Sequence, residues 1–189
     1  MRLGILGGSF DPPHLGHLIP AIDAAELLGL DGLHFLPAWE QPFKIGRATA
    51  GAEHRFEMTR RLVHGISGFA ADRSEIDRGG LSYTVDTVAQ MAAAHPAAEL
   101  VLLLGADAFA LFEQWREPER IRALASIAVL QRGDDASPSQ VDGPVQVLQT
   151  RRVDISSTEL RARVADGRTI RGFTPDAVAD YVAEHRLYR

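Results

Sequence analysis

The sequence has no cysteine, and Lys44 is the only lysine among its 20 lysine and arginine residues. The absence of cysteine excludes disulfide bonds, thiolate zinc sites, iron–sulfur clusters and a cysteine nucleophile. The formal net charge of −5 argues against a nucleic-acid-binding protein, because such domains usually carry an excess of basic residues. A local basic pocket for a small anion remains compatible with this charge, since a pocket acts through a few converging groups.

Long hydrophobic runs are also absent from the chain. The first residues, MRLGILGGSF, reach Asp11 too soon for the apolar stretch of a signal peptide. No later run approaches the ~20 apolar residues that span a bilayer. We therefore expect a soluble, cytoplasmic protein with no membrane partner. Its 189 residues, 46% hydrophobic and 24% charged, are typical of a globular protein and predict a single domain over residues 1–189.

Short apolar runs alternate with longer amphipathic stretches along the chain. The runs predict buried strands at residues 2–6, 32–36, 100–104 and 127–131, and an edge or half-exposed strand at 145–149. Apolar residues at three- and four-residue spacing predict helices at residues 18–28, 52–64, 84–94 and 175–185, and the capping residues 156–158 predict a further helix at 158–166. We expect Thr174 to be the N-cap of the last helix and Pro175 its first residue. Residues 132–144, rich in Gly, Pro, Ser and Asp, are expected to form a loop.

This alternation of strands and helices predicts an α/β fold. We expect a Rossmann-like, doubly wound and mostly parallel sheet with helices on both faces, in three layers. The C-terminal helical portion, about 155–189, is expected to pack on the same domain. Ligands of such sheets bind beyond the carboxyl ends of the strands, so functional residues should follow strands directly.

Residues 7–17, GGSFDPPHLGH, lie between the first predicted strand and the first helix. The two glycines at the start allow the backbone to approach an anion closely, and the helix that begins near Gly16 offers unpaired N–H groups. His14 and His17 can point side by side at that anion, with Gly16 keeping the surface between them open. The turn therefore predicts a phosphate site. A simple tight turn is the alternative; a metal site is another, although no third ligand is apparent.

A second candidate site lies at residues 155–161, ISSTELR. Ser156, Ser157 and Thr158 place hydroxyl and N–H groups at a helix N-terminus, and Arg161 lies one turn further on. Taken alone, these residues are equally typical of a helix cap. Together with the upstream turn, they indicate a second phosphate-binding element.

The upstream turn resembles the His-x-Gly-His motif of the nucleotidyltransferase superfamily. Further stretches appear in order along the chain: EHRFEMTRRL (53–62), EIDRGGLSYTVDT (75–87), GADAFALFEQW (105–115), VLQRG (129–133) and HRLYR (185–189). Over essentially the whole chain they resemble the nicotinate-nucleotide adenylyltransferase family. The resemblance implies an enzyme of NAD biosynthesis that joins ATP and nicotinate mononucleotide to give deamido-NAD and pyrophosphate. It also implies in-line attack on the ATP α-phosphorus without a covalent intermediate, and Mg²⁺ carried by ATP with no metal held by the protein.

The same resemblance implies roles for individual residues. The implied catalytic residues are His14, His17, Lys44 and Arg161, with His17 as the group that stabilises the transition state. The implied ATP-binding residues are Gly7, Gly8, Ser9, Phe10, Gly16, Gly105, Asp107, Gln131, Arg132, Ile155, Ser156, Ser157 and Thr158. The implied nicotinate mononucleotide-binding residues are Tyr83, Thr84, Trp115 and Arg116. Trp115 would stack on the nicotinate ring, and backbone N–H groups of Thr84 and Arg116 would bind its carboxylate, which accepts hydrogen bonds more strongly than an amide.

Several of these residues also have purely structural interpretations. Trp115 and Tyr83 are compatible with core packing, and Asp107 with a helix N-cap. Arg55 and Arg78 are compatible with structural ion pairs.

The loop at residues 37–47, PAWEQPFKIGR, departs from the family pattern Pro-His-Lys/Arg because Phe43 precedes Lys44. The phosphate contact implied for that histidine is then missing, and we expect Lys44 to bind the bridging phosphates, helped by Gln41 or Arg47. A compact, mobile ammonium suits a phosphate that moves during the reaction. Residues 172–175 also depart from the family pattern, in a region expected to be structural.

Two rival functions remain open at this point. One is a nucleotidyltransferase that uses nicotinamide mononucleotide or another phosphorylated acceptor. The other is a non-catalytic nucleotide sensor. The presence of all four implied catalytic residues argues against a sensor, which would not need them all. The sequence leaves the oligomeric state open and is compatible with a homo-oligomer.

Overall fold

The computed structural model describes residues 1–44, 46, 49–132 and 145–189, without the side chains of Lys44 and Arg132, and shows six strands in one parallel sheet. The strands are β1 (Arg2–Gly8), β2 (Gly32–Pro37), β3 (Phe69–Ala71), β4 (Glu99–Gly105), β5 (Ser126–Arg132) and β6 (Val145–Thr150). Their order across the sheet is β3-β2-β1-β4-β5-β6, and every neighbouring pair is parallel. The predicted fold class is confirmed, and β6 is an edge strand as expected. The loop predicted at 132–144 lies outside the described residues, except that Arg132 ends β5.

The helices of the described chain are α1 (Leu15–Leu28), α2 (Ala52–Val63), α3 (Ser74–Arg78), α4 (Thr84–Ala94), α5 (Ala106–Phe109), α6 (Pro118–Leu124), α7 (Ser157–Ala165) and α8 (Asp176–Glu184). Short 3-10 helices cover Pro42–Lys44 and Phe112–Gln114. The five predicted helices are present, with bounds that differ by up to three residues. Three further helices and β3 were not predicted, because elements of three to seven residues carry too little periodic pattern.

The start of α8 differs from the prediction. Pro175 is the N-cap, and the helix begins at Asp176. Thr174 is buried, and its hydroxyl donates a hydrogen bond to the carbonyl of Pro13 at 2.9 Å. The hydroxyl therefore bonds to a distant part of the chain and does not cap the helix that follows it.

Alternate residues of each strand point to opposite faces of the sheet and form two separate apolar clusters. In β4, Val101 and Leu103 belong to one cluster, whereas Leu102 and Leu104 belong to the other. Helices α1, α2, α7 and α8 contribute to the first cluster, and α4 and α6 to the second. This two-sided burial explains the continuous apolar runs of the central strands.

β1 lies at the point where the strand order reverses, with β2 on one side and β4 on the other. In open parallel sheets, the turns that follow the two strands flanking such a point diverge and leave a crevice between them. Ligands of open parallel sheets bind at this point. No helix in the described part of the chain is long and apolar enough to cross a membrane.

Asp72, directly after β3, contributes stability that depends on pH. Its carboxylate lies 3.3 Å from His34 Nδ1 and accepts the Ser74 N–H at 2.8 Å. The close His34 ring, followed by the hydrogen bond from Ser74, lowers the pKa of Asp72 from an ordinary 3.8 to about 2, against the opposing effect of burial. Because the folded pKa is the lower one, this contribution is complete above pH 4 and is lost as the pH falls from about 4 to about 2.

We expect Asp72→Asn to lower the free energy of unfolding by about 2 kcal/mol at pH 6, with a difference from the wild type that shrinks toward zero near pH 2. Urea unfolding at several pH values measures this difference. Asp77→Asn is the control, because Asp77 is exposed and pairs with exposed Arg73, so its substitution should change stability by less than about 1 kcal/mol. A difference for Asp72→Asn that stays constant with pH would contradict the assignment.

Candidate active site

The turn between β1 and α1 brings the two histidines of the motif together. His14 is the N-cap of α1, and its backbone N–H donates to His17 Nδ1 at 3.3 Å. The two ring centroids lie 3.8 Å apart. Because Nδ1 of His17 accepts a hydrogen bond, the proton of the neutral ring sits on Nε2. His17 therefore presents an N–H donor at the N-terminus of a helix, where the positive end of the helix dipole also attracts anions.

The residues before His14 pack against the histidine pair. The Phe10 ring is buried and lies edge-to-face with the His17 ring at a centroid distance of 5.1 Å, so a contact of Phe10 with ATP stays a prediction. Phe10 also adopts a φ of 49°, a left-handed conformation that is costly for a bulky residue. A Cβ on Gly8 would lie 2.9 Å from the Phe10 ring, so Gly8 makes room for that ring. By contrast, the space above Gly7 is open.

The sequence suggested that Gly16 keeps the surface between the two histidines open. In the structure, the space beside Gly16 is filled by neighbouring atoms. A Cβ there would lie 2.9 Å from the His14 ring and 3.0 Å from the carbonyl oxygen of Ile155. Ile155 precedes α7, so the glycine lets the start of α7 approach the start of α1 closely. The two predicted phosphate-binding elements are therefore neighbours.

The start of α7 is hydrogen-bonded to the histidine-containing turn. Ser156 is the N-cap and accepts the Glu159 N–H at 3.1 Å, as a capping residue should. Ser157 donates to the carbonyl of Pro12 at 2.8 Å. Arg161 donates to the carbonyl of Asp11 at 2.7 Å and to Thr158 Oγ1 at 3.2 Å. Residues 155–158 therefore both cap α7 and lie beside the histidine-containing turn, so the two interpretations of these residues do not exclude each other.

The ends of β4 and β5 lie at the same edge of the sheet. Gly105 is the N-cap of α5, and the space beside its Cα is open. Asp107 is exposed in the first turn of that helix, so it is not the N-cap that the structural alternative suggested. Gln131 is buried and accepts a hydrogen bond from Gln149 at 3.0 Å, which orients its side chain. The side chain of Arg132 lies outside the described part.

The four residues implied in mononucleotide binding form a second group. The Arg116 guanidinium lies 4.9 Å from the centre of the Tyr83 ring and 3.9 Å from Asp86 in the first turn of α4. Thr84 is the first residue of α4, so its N–H has no partner within the helix. Trp115 is half-buried and packs at 5.4 Å from Phe112. Because Trp115 is only partly buried, its position is compatible both with core packing and with stacking on a ligand.

The loop after β2 runs along the same edge. Gln41 accepts a hydrogen bond from Ser9 at 3.0 Å, which connects it to the end of β1. Phe43 is exposed within the 3-10 helix that also contains the backbone of Lys44. The N–H of exposed Trp39 donates to Ser82 Oγ at 3.0 Å, so this loop also contacts the start of α4. The expected roles of the Lys44 side chain and of Arg47 fall outside the described residues.

Structural ion pairs were one interpretation of Arg55 and Arg78, and both residues form hydrogen bonds to uncharged groups. Arg55 is 2% exposed and donates to four backbone carbonyls: those of Ser9, Ala38, Trp39 and Ala50, at 2.6 to 3.1 Å. Burial lowers the pKa of Arg55, and the nearby Asp11 carboxylate opposes that shift. Arg78 donates to Gln90 and Thr87. Sequence reasoning missed Arg55 as a support of the site, since no local pattern shows which carbonyls a buried arginine will reach.

Comparisons with known proteins identify the family. Residues 5–163 match the model of the Cytidylyltransferase-like family. A protein of Gemmatimonas aurantiaca named "probable nicotinate-nucleotide adenylyltransferase" is 47% identical, and the match covers 100% of this chain and 93% of that protein. A protein of the same name from Thermus thermophilus is 43% identical, with 100% of both chains covered.

The chain belongs to the nicotinate-nucleotide adenylyltransferase family. This confirms the resemblance found in the sequence and the assignment to the nucleotidyltransferases. Solved structures show the same fold: the nicotinic acid mononucleotide adenylyltransferase of Plasmodium falciparum, complexed with APC, superposes with a TM-score of 0.76 at 18% identity. That match covers 99% of this chain and 96% of the other; the complex of the same enzyme with NaAD gives a TM-score of 0.75, covering 99% and 97%.

The described residues contain no group of three or more His, Cys, Asp or Glu side chains that could hold a metal ion. The one buried carboxylate in the histidine-containing turn, Asp11, accepts hydrogen bonds from Thr49, Ala50 and Tyr188. These donors occupy the oxygens that a cation would need.

Proposed function

We propose that this protein transfers the adenylyl group of ATP to nicotinate mononucleotide, giving nicotinate adenine dinucleotide (deamido-NAD) and pyrophosphate. The observation that carries the proposal is the convergence of two helix N-termini, those of α1 and α7, around a histidine pair in a chain of this family. Mg²⁺ enters as part of the substrate, bound to the triphosphate oxygens and water. We propose one catalytic domain over residues 1–189, acting in the cytoplasm, where ATP is available.

The reaction is an in-line displacement at the α-phosphorus. A phosphate oxygen of nicotinate mononucleotide forms the new P–O bond, while the bond between the α-phosphorus and the bridging oxygen breaks and pyrophosphate leaves with the electron pair. The protein needs to align the reactants and to stabilise negative charge, so no covalent intermediate is required. His17 Nε2–H is well suited to donate to an oxygen of the reacting phosphoryl group, because its tautomer is set by the His14 N–H. Nearby His14 would contact the same phosphates.

The departing pyrophosphate would be held at the start of α7. Ser156 to Thr158 and the remaining N–H donors of Arg161 lie next to the turn that contains the histidines. Lys44 would approach the bridging phosphates from the loop after β2. Open space beside Gly7 and Gly105 would let ATP approach the backbone closely at these two positions. Asp107 would lie near the ribose, and Gln131 and Arg132 would lie near the adenosine.

The acid group of the nicotinate ring would be recognised at the start of α4. The Thr84 N–H, free of an intrahelical partner, and the Arg116 N–H are donors, and donors favour a carboxylate over an amide that brings its own NH₂ group. Trp115 would supply the stacking surface, and the Arg116 guanidinium, which lies over the Tyr83 ring, also pairs with Asp86 and Glu117.

The deciding experiment incubates the protein with ATP, Mg²⁺ and either nicotinate or nicotinamide mononucleotide, and measures pyrophosphate and dinucleotide. We expect both products with nicotinate mononucleotide, with a preference over the amide of about tenfold or more, because a missing charge-assisted hydrogen bond costs at least that much. No product with either substrate would favour a nucleotide sensor. Equal rates with both substrates would contradict the role given to the N–H donors.

A further inference from the structure

The turn that contains the histidines has almost no secondary structure of its own and is held by a distant part of the chain. The backbone carbonyls of residues 11–13 accept hydrogen bonds in succession from Arg161 at 2.7 Å, Ser157 at 2.8 Å and Thr174 at 2.9 Å. Leu15, the first residue of α1, donates its N–H to a carbonyl before α8 at 2.9 Å. The geometry of the turn is therefore set by α7, α8 and their flanking residues.

The Asp11 carboxylate is the centre of a second set of contacts. It is buried, with 3% of the residue exposed. One oxygen accepts the Thr49 N–H at 2.8 Å and the Thr49 hydroxyl at 3.1 Å. The other oxygen accepts the Ala50 N–H at 3.1 Å and the Tyr188 hydroxyl at 2.7 Å. Three segments distant in sequence thus meet at one side chain: the turn after β1, the loop after β2 and the segment after α8.

Tyr188 is held in its place firmly enough to act as a fixed donor. Its φ of 64° is left-handed, a conformation that costs free energy unless the surrounding contacts impose it. The preceding residue, Leu187, donates its N–H to the carbonyl of Val182 at 3.0 Å and packs against the core. Burial, followed by the charge of Asp11, raises the pKa of Tyr188 above its ordinary value, so the hydroxyl stays protonated and donates.

We propose that the Tyr188 hydroxyl is a positioning group for the reaction: through the Asp11 carboxylate it fixes the turn containing His14 and His17 relative to the loop containing Lys44. The hydroxyl does not touch substrate in this role. It completes the hydrogen-bonding of a buried carboxylate whose other donors, the N–H groups of Thr49 and Ala50, belong to that loop. Small displacements of catalytic groups strongly affect rates, so loss of one such bond should appear in kcat. This inference rests on the proposed function.

The test compares two tyrosine-to-phenylalanine substitutions, each of which removes one hydroxyl group. Tyr188→Phe removes the donor to Asp11, whereas Tyr181→Phe removes a hydroxyl on α8 that hydrogen-bonds to His54 Nδ1 at 2.9 Å, outside the proposed site. We expect Tyr188→Phe to lower kcat about tenfold with KM for ATP nearly unchanged, and Tyr181→Phe to leave kcat within about twofold of the wild type. Both variants lose one tyrosine hydroxyl, so Tyr181→Phe controls for the substitution itself; the bond to the Asp11 carboxylate is the stronger of the two, so the free energy of unfolding of each variant is measured beside kcat.

Two further measurements separate positioning from support of the fold. In the Asp11→Asn background, Tyr188→Phe should cause less than about twofold further loss, because the hydroxyl acts through the carboxylate. Amide exchange followed by NMR should be faster at Thr49 and Ala50 in Tyr188→Phe and unchanged in Tyr181→Phe. An unchanged kcat in Tyr188→Phe, an equal loss in Tyr181→Phe, or unchanged exchange at Thr49 and Ala50 would overturn the proposal. If the wild type makes no dinucleotide, the proposed function fails, and the exchange experiment still decides the coupling.

Discussion

Replacing His17 with alanine is expected to lower kcat by about 10²- to 10³-fold and to change KM for ATP by less than about threefold. The reason is that, under the proposed function, the Nε2–H donor would face charge that grows on the phosphoryl oxygens only as the reaction proceeds. The N-termini of α1 and α7 would also hold the triphosphate in the ground state, so we expect binding of ATP to lose little. Steady-state kinetics with nicotinate mononucleotide at saturation measures both constants.

Two other substitutions at position 17 test which ring nitrogen matters. Asparagine places an acceptor near the position of Nδ1, so it can still receive the His14 N–H while it lacks the Nε2 donor. Glutamine reaches further and can place an N–H near the position of Nε2. We expect His17→Asn to be as slow as His17→Ala, and His17→Gln to recover about tenfold in kcat over alanine.

Two results would contradict this role for His17. Near-normal kcat in His17→Asn would mean that the ring serves only to cap α1 through Nδ1. Parallel losses in kcat/KM and in ATP binding would mean that His17 binds the ground state as strongly as the transition state.

The second large effect is expected from Arg55→Lys, which should lower the free energy of unfolding by about 3 kcal/mol, because hydrogen bonds from a charged donor contribute roughly 1.5–3 kcal/mol each. The guanidinium uses three nitrogens to reach carbonyls after β1, after β2 and before α2. An ammonium is a single point of charge and cannot span these carbonyls, so buried C=O groups lose their partners. Urea denaturation at pH 7 measures the change.

Arg60→Lys is the matched control for Arg55→Lys. Arg60 lies on the same helix but is exposed, and it pairs with Glu57 at 2.8 Å. The same substitution there should change stability by less than about 0.5 kcal/mol. Equal stability of the two variants would mean that the Arg55 hydrogen bonds do not hold the loops at this edge of the sheet.

The secondary structure could be predicted from local pattern wherever an element was long. The four central strands are buried on both faces, so their apolar runs stand out, whereas β6 alternates because only one of its faces is buried, at Leu148 and Thr150. β3, α3, α5 and α6 escaped prediction because three to seven residues do not establish a period. Thr174 was misread as a cap because its hydroxyl has a partner 161 residues away in sequence.

The candidate site could be predicted in its residue types but not in how these residues support one another. The spacing of His14 and His17 and the start of α7 were both visible in the sequence. That Gly16 brings the two helix starts into contact depends on the Ile155 carbonyl, which no local pattern reveals. The buried ring of Phe10 is a similar case, since a motif member turned out to support His17 from the core.

The sequence by itself determined the family, the parallel α/β fold and the identity of the chemical groups offered for a phosphate. It did so because these depend on local periodicity and on short motifs. Only the tertiary structure decided how Lys44, the single lysine, is connected to the rest of the site. The loop that contains it is joined to the histidine turn by Ser9 and Gln41, by Arg55, and by Asp11 with Tyr188. These contacts bridge distant segments, so they arise only when the sheet brings the strand ends together.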